Sequence, residues 1–375
     1  MTLSLKLACL GGLLAAVLSR TALAALPILE VPPGFHVSLL TQEVPNAREM
    51  ALGGVTDGKQ IVYVGSYDAG RVYAVETEAG KATGVHVIAN HLEMPIGVAY
   101  RDGNLYVSAV SRILRLDGID NRLNAPPIPA IVTDHLPSEE HHGGRFIAFG
   151  PDGWLYVPVG APCNVCEPDP RRYANLERMR PDGTGLEVVA QGIRNTVGFD
   201  WSPIDGSLWF TDNGRDMMGD DMPSDELNHA PQKGMNFGFP YCHQGDTPDP
   251  GLGSKHPCSD FTPPAVKLGA HVAALGMRFY TGSLFPSPYR NAIFIAEHGS
   301  WNRSKKSGYR IAWIQMRADG SVEKSGVFAT GWLKVDPDGH ERVFGRPADV
   351  LVMPDGALLV SDDEAGAIYR ITYGL

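Results

Sequence analysis

The sequence predicts an all-β protein. The expected architecture is a six-bladed β-propeller of four-stranded antiparallel blades, its ring closed by an N-terminal strand. Three observations carry this reading. First, one phrase recurs along the chain: Asp-Gly followed by an alternating apolar strand. It stands at Asp102-Gly103-Asn104-Leu105-Tyr106-Val107, Asp152-Gly153-Trp154-Leu155-Tyr156-Val157, Asp205-Gly206-Ser207-Leu208-Trp209-Phe210 and Asp355-Gly356-Ala357-Leu358-Leu359-Val360. A looser copy begins at Asp57-Gly58, and a divergent one, Asn291-Ala292-Ile293-Phe294-Ile295, precedes the last. Six recurrences at this spacing read as blades. Second, 43 Gly and 29 Pro suit many short strands joined by tight turns. Third, the final unit stops at Leu375 without an outer strand, and Phe35-His36-Val37-Ser38-Leu39-Leu40 reads as the missing one. Pairing it there removes an exposed sheet edge.

Each blade follows one order. An inner strand, as at 146–149 or 197–200, leads into the Asp-Gly turn, whose positive φ angles suit a tight hairpin. A buried strand follows, then one such as 71–75, 112–116, 310–314 or 367–371, and an outer strand such as 186–190 or 322–329. Period-two alternation is the strand signal. Two stretches exceed hairpin length, 160–175 and 214–276, and are expected as functional loops. The second carries the acidic run Asp212, Asp216, Asp220, Asp221, Asp225 and Glu226 at and after its start.

The first 24 residues read as a signal peptide: Lys6, an apolar stretch over 7–18, and the small-x-small site Ala22-Leu23-Ala24. Residues 25–375 are then expected as one propeller domain, periplasmic or secreted. No later apolar run reaches the ~18 residues of a membrane span. The net charge of −10 argues against a nucleic-acid partner. Four cysteines remain after cleavage, and an oxidising compartment makes two disulfides the expectation, paired locally as Cys163–Cys166 and Cys242–Cys258. Zinc is the rival, weakened by the absence of a His pair at finger spacing. Cys163-Asn164-Val165-Cys166 precedes Glu167 rather than His, so it is no haem-attachment site.

Candidate chemistry lies in the loops that enter or leave the strands. His141-His142-Gly143-Gly144-Arg145 precedes an inner strand. His141 reads either as a satisfied structural histidine or as a general base, its pKa lying near working pH. Arg194, in Gly192-Ile193-Arg194-Asn195, holds the equivalent place in the next blade, and Arg346 in Gly345-Arg346-Pro347 does so in the last. A His and two guanidinium groups around one axis would suit an anion with several carboxylates, whereas Arg194 alone reads equally as a surface ion pair. Trp301, in Gly299-Ser300-Trp301-Asn302-Arg303, is a stacking wall or inter-blade packing. Asp212-Asn213-Gly214-Arg215-Asp216 offers oxygen ligands for Ca²⁺ or is a solvated acidic loop.

Together these stretches, with Asp225-Glu226-Leu227-Asn228 and 234–240, resemble the soluble quinoprotein sugar dehydrogenases, closest to the sorbosone/pyranose dehydrogenase type. The resemblance spans nearly the whole mature chain. It implies pyrroloquinoline quinone (PQQ) and Ca²⁺ at the axial mouth of a six-bladed propeller. It implies His141 as the base, Arg194 as the group polarising the quinone carbonyl, and Asn195, Arg303, Arg346 and Trp301 as cofactor-binding residues. Backbone carbonyls of Gly214 and Arg215 would hold the Ca²⁺. The stretch 94–97 lacks a Gln that members often carry there, and no second Arg follows Arg346, which points away from the glucose type. The expected function is oxidation of a sugar or related alcohol or aldehyde, sorbosone-like, by hydride transfer to the quinone. A cytochrome or a quinone would be the external electron acceptor. The rivals are a Ca²⁺-dependent propeller lactonase and a catalytically degenerate propeller binding a carbohydrate or protein.

Overall fold

The computed structural model describes residues 26–374; the expected signal peptide, 1–24, lies outside them. Six antiparallel four-stranded sheets follow one another along the chain. Blade 1 is Ala47–Thr56, Lys59–Ser66, Val72–Glu78 and Lys81–Ala89. Blade 2 is Val98–Arg101, Asn104–Ala109, Arg112–Leu116 and Ala130–Thr133. Blade 3 is Ala148–Phe149, Leu155–Val159, Asn175–Met179 and Glu187–Gln191, with Met235–Asn236 added in parallel at its edge. Blade 4 is Phe199–Trp201, Leu208–Asp212, Ser224–Ala230 and Val266–Ala270, and blade 5 is Ala274–Phe279, Ile293–Glu297, Arg310–Met316 and Val322–Ala329. Blade 6 is Pro347–Val352, Leu358–Asp362 and Ala367–Tyr373. Its fourth strand is Phe35–Thr41, paired antiparallel with Phe35 opposite Tyr373 and Leu39 opposite Tyr369. The N-terminal strand therefore closes the ring as expected.

The core is a set of wedges between blades. One apolar cluster packs blade 1 on blade 2 through Tyr63, Val72, Leu105 and Val107. Leu155 and Val157 face blade 2, while Tyr156, between them, faces Phe199 of blade 4. A strand buried on both faces explains why the second strand of each blade is apolar at nearly every position. Hydroxyls also staple neighbours. Ser108 donates to Arg145 O at 2.7 Å, Thr211 to Leu275 O at 2.8 Å, and Ser361 to Arg48 O at 2.8 Å. Backbones approach so closely there that a Cβ on Gly97 would sit 2.1 Å from Arg145 O.

Two expectations change. The stretch 214–276 is no single loop: it contains the third and fourth strands of blade 4. Asp225, Glu226 and Asn228 conceal the former, because each is buried in a strand that carries almost no apolar alternation. The inner strand expected over 146–149 is regular only at Ala148–Phe149. Both disulfides form as expected, Cys163–Cys166 and Cys242–Cys258. No helix among the described residues is long and apolar enough to cross a membrane.

Candidate active site

Each inner strand runs into a turn and returns antiparallel as the second strand; in blade 4, Phe199 lies opposite Phe210 and Trp201 opposite Leu208. Loops entering inner strands and loops leaving second strands therefore share one face. The Asp-Gly turns occupy the other. On the first face a cavity of about 200 Å³ is lined by His142, Arg194, Asn195, Gly214, Asp216 and Asn302, with Trp301, Asp225 and His271 on its wall.

His142 enters the cavity from blade 3. A tight turn, Gly143 N–H to Glu140 O at 2.9 Å, precedes the strand, and His142 takes a left-handed φ of 53°. Its Nδ1 lies 2.8 Å from Ala161 O. A carbonyl only accepts, so Nδ1 carries the proton of the neutral ring and Nε2 keeps its lone pair. Burial, reinforced by Arg194 and His141, pulls its pKa down to about 3. Gly160 leaves room for the ring's attachment: a Cβ there would fall 2.5 Å from His142 Cβ. His141, the expected base, is exposed and does not line the cavity, though its ring centroid is 4.1 Å from that of His142. The two rings are in contact, but only that of His142 lines the cavity, with His141 on its solvent side. Arg145 anchors it below. Fully buried, Arg145 donates to Val110 O at 2.6 Å, Pro158 O at 3.2 Å and Pro137 O at 2.8 Å.

Arg194 is buried in the cavity wall. Nε donates to Asn164 O at 2.9 Å and Nη1 to Asn213 O at 3.1 Å, while Nη2 donates to Asn164 Oδ1 and Asp216 Oδ2, both at 2.9 Å. Four of its five N–H groups are so engaged, and one on Nη1 remains. The backbone N–H groups of Arg194 and Asn195 donate to Asp212 at 2.9 and 2.6 Å. Asp225 receives Gly214 N–H at 2.8 Å and Ala273 N–H at 2.7 Å; burial raises its pKa to about 6. Asp212 and Glu226 lie opposite each other in the sheet, and burial pushes both carboxyls up. Asp212, Asp225 and Glu226 are thus buried and brace the loop, whereas in the same acidic run Asp221 is exposed and Asp220 partly so.

The remaining candidates divide. Trp301 stands at the cavity edge, 69% exposed, and so is not packed between blades. Asn302 Nδ2 donates to Asp216 Oδ1 at 2.8 Å, leaving its buried Oδ1 without a donor. Gly214 lines the cavity, but Arg215 lies behind it and turns its side chain to Asp249. Arg303 pairs with Asp221 at 2.9 Å. Arg346 donates to Gly299 O at 2.6 Å and His298 O at 3.2 Å, just behind the wall formed by Ser300 and Trp301. Of the three arginines assigned to the site, Arg194, Arg303 and Arg346, only Arg194 lines the cavity. Among the described residues no group of three or more His, Cys, Asp or Glu is placed to hold a metal ion, so a cation there would rest on carbonyl and amide oxygens. Sequence reasoning missed His142 and Asn164, whereas Arg194, Asn195, Gly214 and Trp301 were singled out and line the cavity.

Comparison with known proteins identifies the family. The model described as TrAA12-like matches residues 174–374. An uncharacterised protein of Borreliella burgdorferi is 34% identical over 359 residues, covering 92% of this chain and 91% of that protein. A pyrroloquinoline quinone-dependent pyranose dehydrogenase of Coprinopsis cinerea is 30% identical over 122 residues, which is 29% of this chain and only 16% of that protein. Among solved structures, the holo form of the Coprinopsis cinerea pyranose dehydrogenase PQQ domain superposes with a TM-score of 0.78 at 18% identity, covering 94% of this chain and 99% of that one. The calcium structure of a Trichoderma reesei protein of carbohydrate-active enzyme family AA12 gives 0.79 at 18% identity, covering 95% and 100%. These structural likenesses show the shared propeller, while the family model, matched over more than half the chain, shows the kinship: this protein belongs to the TrAA12-like family.

Proposed function

We propose that this protein is a PQQ- and Ca²⁺-dependent dehydrogenase that oxidises a sugar or related alcohol or aldehyde, exported to the periplasm or beyond, and delivers electrons to an external cytochrome or quinone. The observation that carries the reading is His142: a neutral imidazole on the wall of a cavity built by loops of blades 3, 4 and 5, its Nδ1 tied to Ala161 O and its Nε2 left as a base. The names of the sequence relative and of the solved neighbours support the cofactor class.

The residues present fit both groups. The free N–H of Arg194, the Asn195 side of the wall and the exposed Trp301 indole offer a donor, an amide and a stacking face for a flat polycarboxylate. Asn302 Oδ1, buried without a donor beside Gly214 on the same wall, is an oxygen that a hard cation would satisfy. The backbone carbonyls of Gly214 and Arg215 would be its further oxygen ligands in this reading. Arg303 and Arg346 would contribute from the rim, on giving up or sharing their present partners.

PQQ, when bound, would supply the two-electron acceptor for hydride. His142 Nε2 takes the proton of the substrate hydroxyl, its Nδ1–H bond to Ala161 O fixing ring and tautomer. Arg194, kept charged in a buried setting by Asp216, stabilises developing negative charge nearby. Trp301 gives the substrate an apolar face at the mouth. The base is therefore assigned one residue beyond His141, which serves as its solvent-facing neighbour.

The test is reconstitution. The mature protein is loaded with PQQ and Ca²⁺ and assayed for dye reduction with aldoses, ketoses and sorbosone. Turnover with at least one sugar is expected. Tight PQQ binding with no turnover would favour the degenerate propeller, and lactone hydrolysis without PQQ binding would favour the hydrolase.

A further inference from the structure

Asn164 does not itself line the cavity, yet it makes four hydrogen bonds to two residues that do, Arg194 and Asp216. Its backbone O accepts Arg194 Nε at 2.9 Å, and its Oδ1 accepts Arg194 Nη2 at 2.9 Å. The same Oδ1 accepts Asp216 N–H at 2.8 Å, and Nδ2 donates to Asp216 O at 3.1 Å. The side-chain amide thus pairs with both main-chain groups of Asp216 as a neighbouring strand would, while the side-chain and main-chain oxygens of Asn164 grip the guanidinium from the side. Both partners are cavity residues, and the guanidinium then reaches across to Asp216 Oδ2 at 2.9 Å. Asn164 lies inside the smaller of the two disulfide rings among the described residues, closed by Cys163–Cys166 across a Cα–Cα distance of 6.2 Å. A half-buried Asn in an open loop pays side-chain and backbone entropy to hold four hydrogen bonds, whereas a ring of this size has lost most of that freedom beforehand.

We propose that Asn164, fixed by the Cys163–Cys166 ring, is the positioning residue that aims Arg194 and holds the 213–216 loop against the cavity. Its consequence for catalysis rests on the reading of the cavity as a PQQ site; its consequence for the loop does not. The disulfide in this view is part of the site's support and not a general brace. The ring's effect passes through one side chain: one N–H of Arg194 Nη1 is left to face a ligand, because Nε and Nη2 are saturated from behind and the other Nη1 N–H goes to Asn213 O.

Asn164→Ala and the double variant Cys163→Ser/Cys166→Ser are compared with the full wild-type chain by two measurements. Amide hydrogen exchange over 213–217 reports the clamp without any cofactor. Both variants are expected to exchange there about tenfold faster, the Asp216 amide foremost, with protection in the blade strands unchanged. PQQ titration in the presence of Ca²⁺ reports the aim of Arg194, and affinity is expected to fall about tenfold or more. Unchanged exchange in folded Asn164→Ala overturns the proposal, as does faster exchange with undiminished PQQ affinity. If the double variant does not fold, Asn164→Ala decides alone. If the wild type takes up no PQQ, the dehydrogenase reading fails, and the exchange data still decide whether Asn164 clamps the loop.

Discussion

Two clusters use the same residue types to opposite ends. On the blade 3–4 side, His142, Arg194 and Asp216 surround the cavity; where blades 5, 6 and 1 meet, His298, Arg346, Asp363 and Arg48 form a second cluster. His298 Nε2 is held by both oxygens of Asp363, at 2.9 and 3.0 Å, and Arg48 binds the same carboxylate at 2.7 Å. Burial pulls the His298 pKa down to about 4. Burial opposes the charge of Asp363, but Arg48 and His298 together hold its carboxyl well below the usual range. His142 has no carboxylate, only a carbonyl on Nδ1. The difference teaches that a histidine becomes available for chemistry through what it lacks. In the proposed reading, a ring clamped at Nε2 by a carboxylate is a structural part, whereas a ring anchored at Nδ1 alone keeps Nε2 available as a base.

The comparison can be broken from its strongest side first. His142→Ala should lower kcat of the reconstituted enzyme about 10³-fold while PQQ still binds, measured by steady-state dye reduction and cofactor titration. Turnover near that of the wild type would remove His142 from the mechanism. Asp363→Ala should destabilise the fold by about 3 kcal/mol in chemical denaturation, since it leaves Arg48 and His298 buried without their anion. A loss below about 1 kcal/mol would mean that this cluster is not a locked ion-pair unit.

Acid should separate wild type from His142→Gln more gently. The folded-state pKa of His142, about 3, lies below its ordinary 6.5, so the unfolded chain binds more protons between those values. Its contribution is fully present above pH 6.5 and is lost as pH falls toward 3. Between pH 7.5 and 4.5 the wild type should therefore lose more stability than the variant, read from paired denaturation midpoints. The smallest effect is expected at His141→Ala, a change of no more than about twofold in kcat, because that ring is exposed and off the lining.

Much of this was legible in the chain. Asp-Gly phrases gave the blade count, because a tight antiparallel hairpin requires positive φ at fixed places and leaves a sequence mark. Local cysteine pairing and strand closure by 35–40 were legible for similar reasons. The third strand of blade 4 was not: its buried Asp225 and Asn228 are satisfied by partners distant in sequence, such as Ala273 N–H on Asp225, which no period-two pattern reports. The Gly-Gly turn marked the loop that delivers a histidine, but could not say which of two adjacent rings enters the cavity.

The sequence by itself determined the wheel: repeated turns, strands apolar on both faces and an N-terminal segment able to pair with the last strand. Those features are short-range, since a turn or a strand's alternation is written in a few neighbouring residues. Only the tertiary structure decided that His142 faces inward, that Arg303 and Arg346 are engaged by neighbours at the rim, and that Asn164 grips Arg194. Those outcomes depend on the left-handed φ of one residue, the space left by Gly160, and hydrogen bonds between loops far apart in the chain. Distances of that kind exist only after the blades have closed on one another.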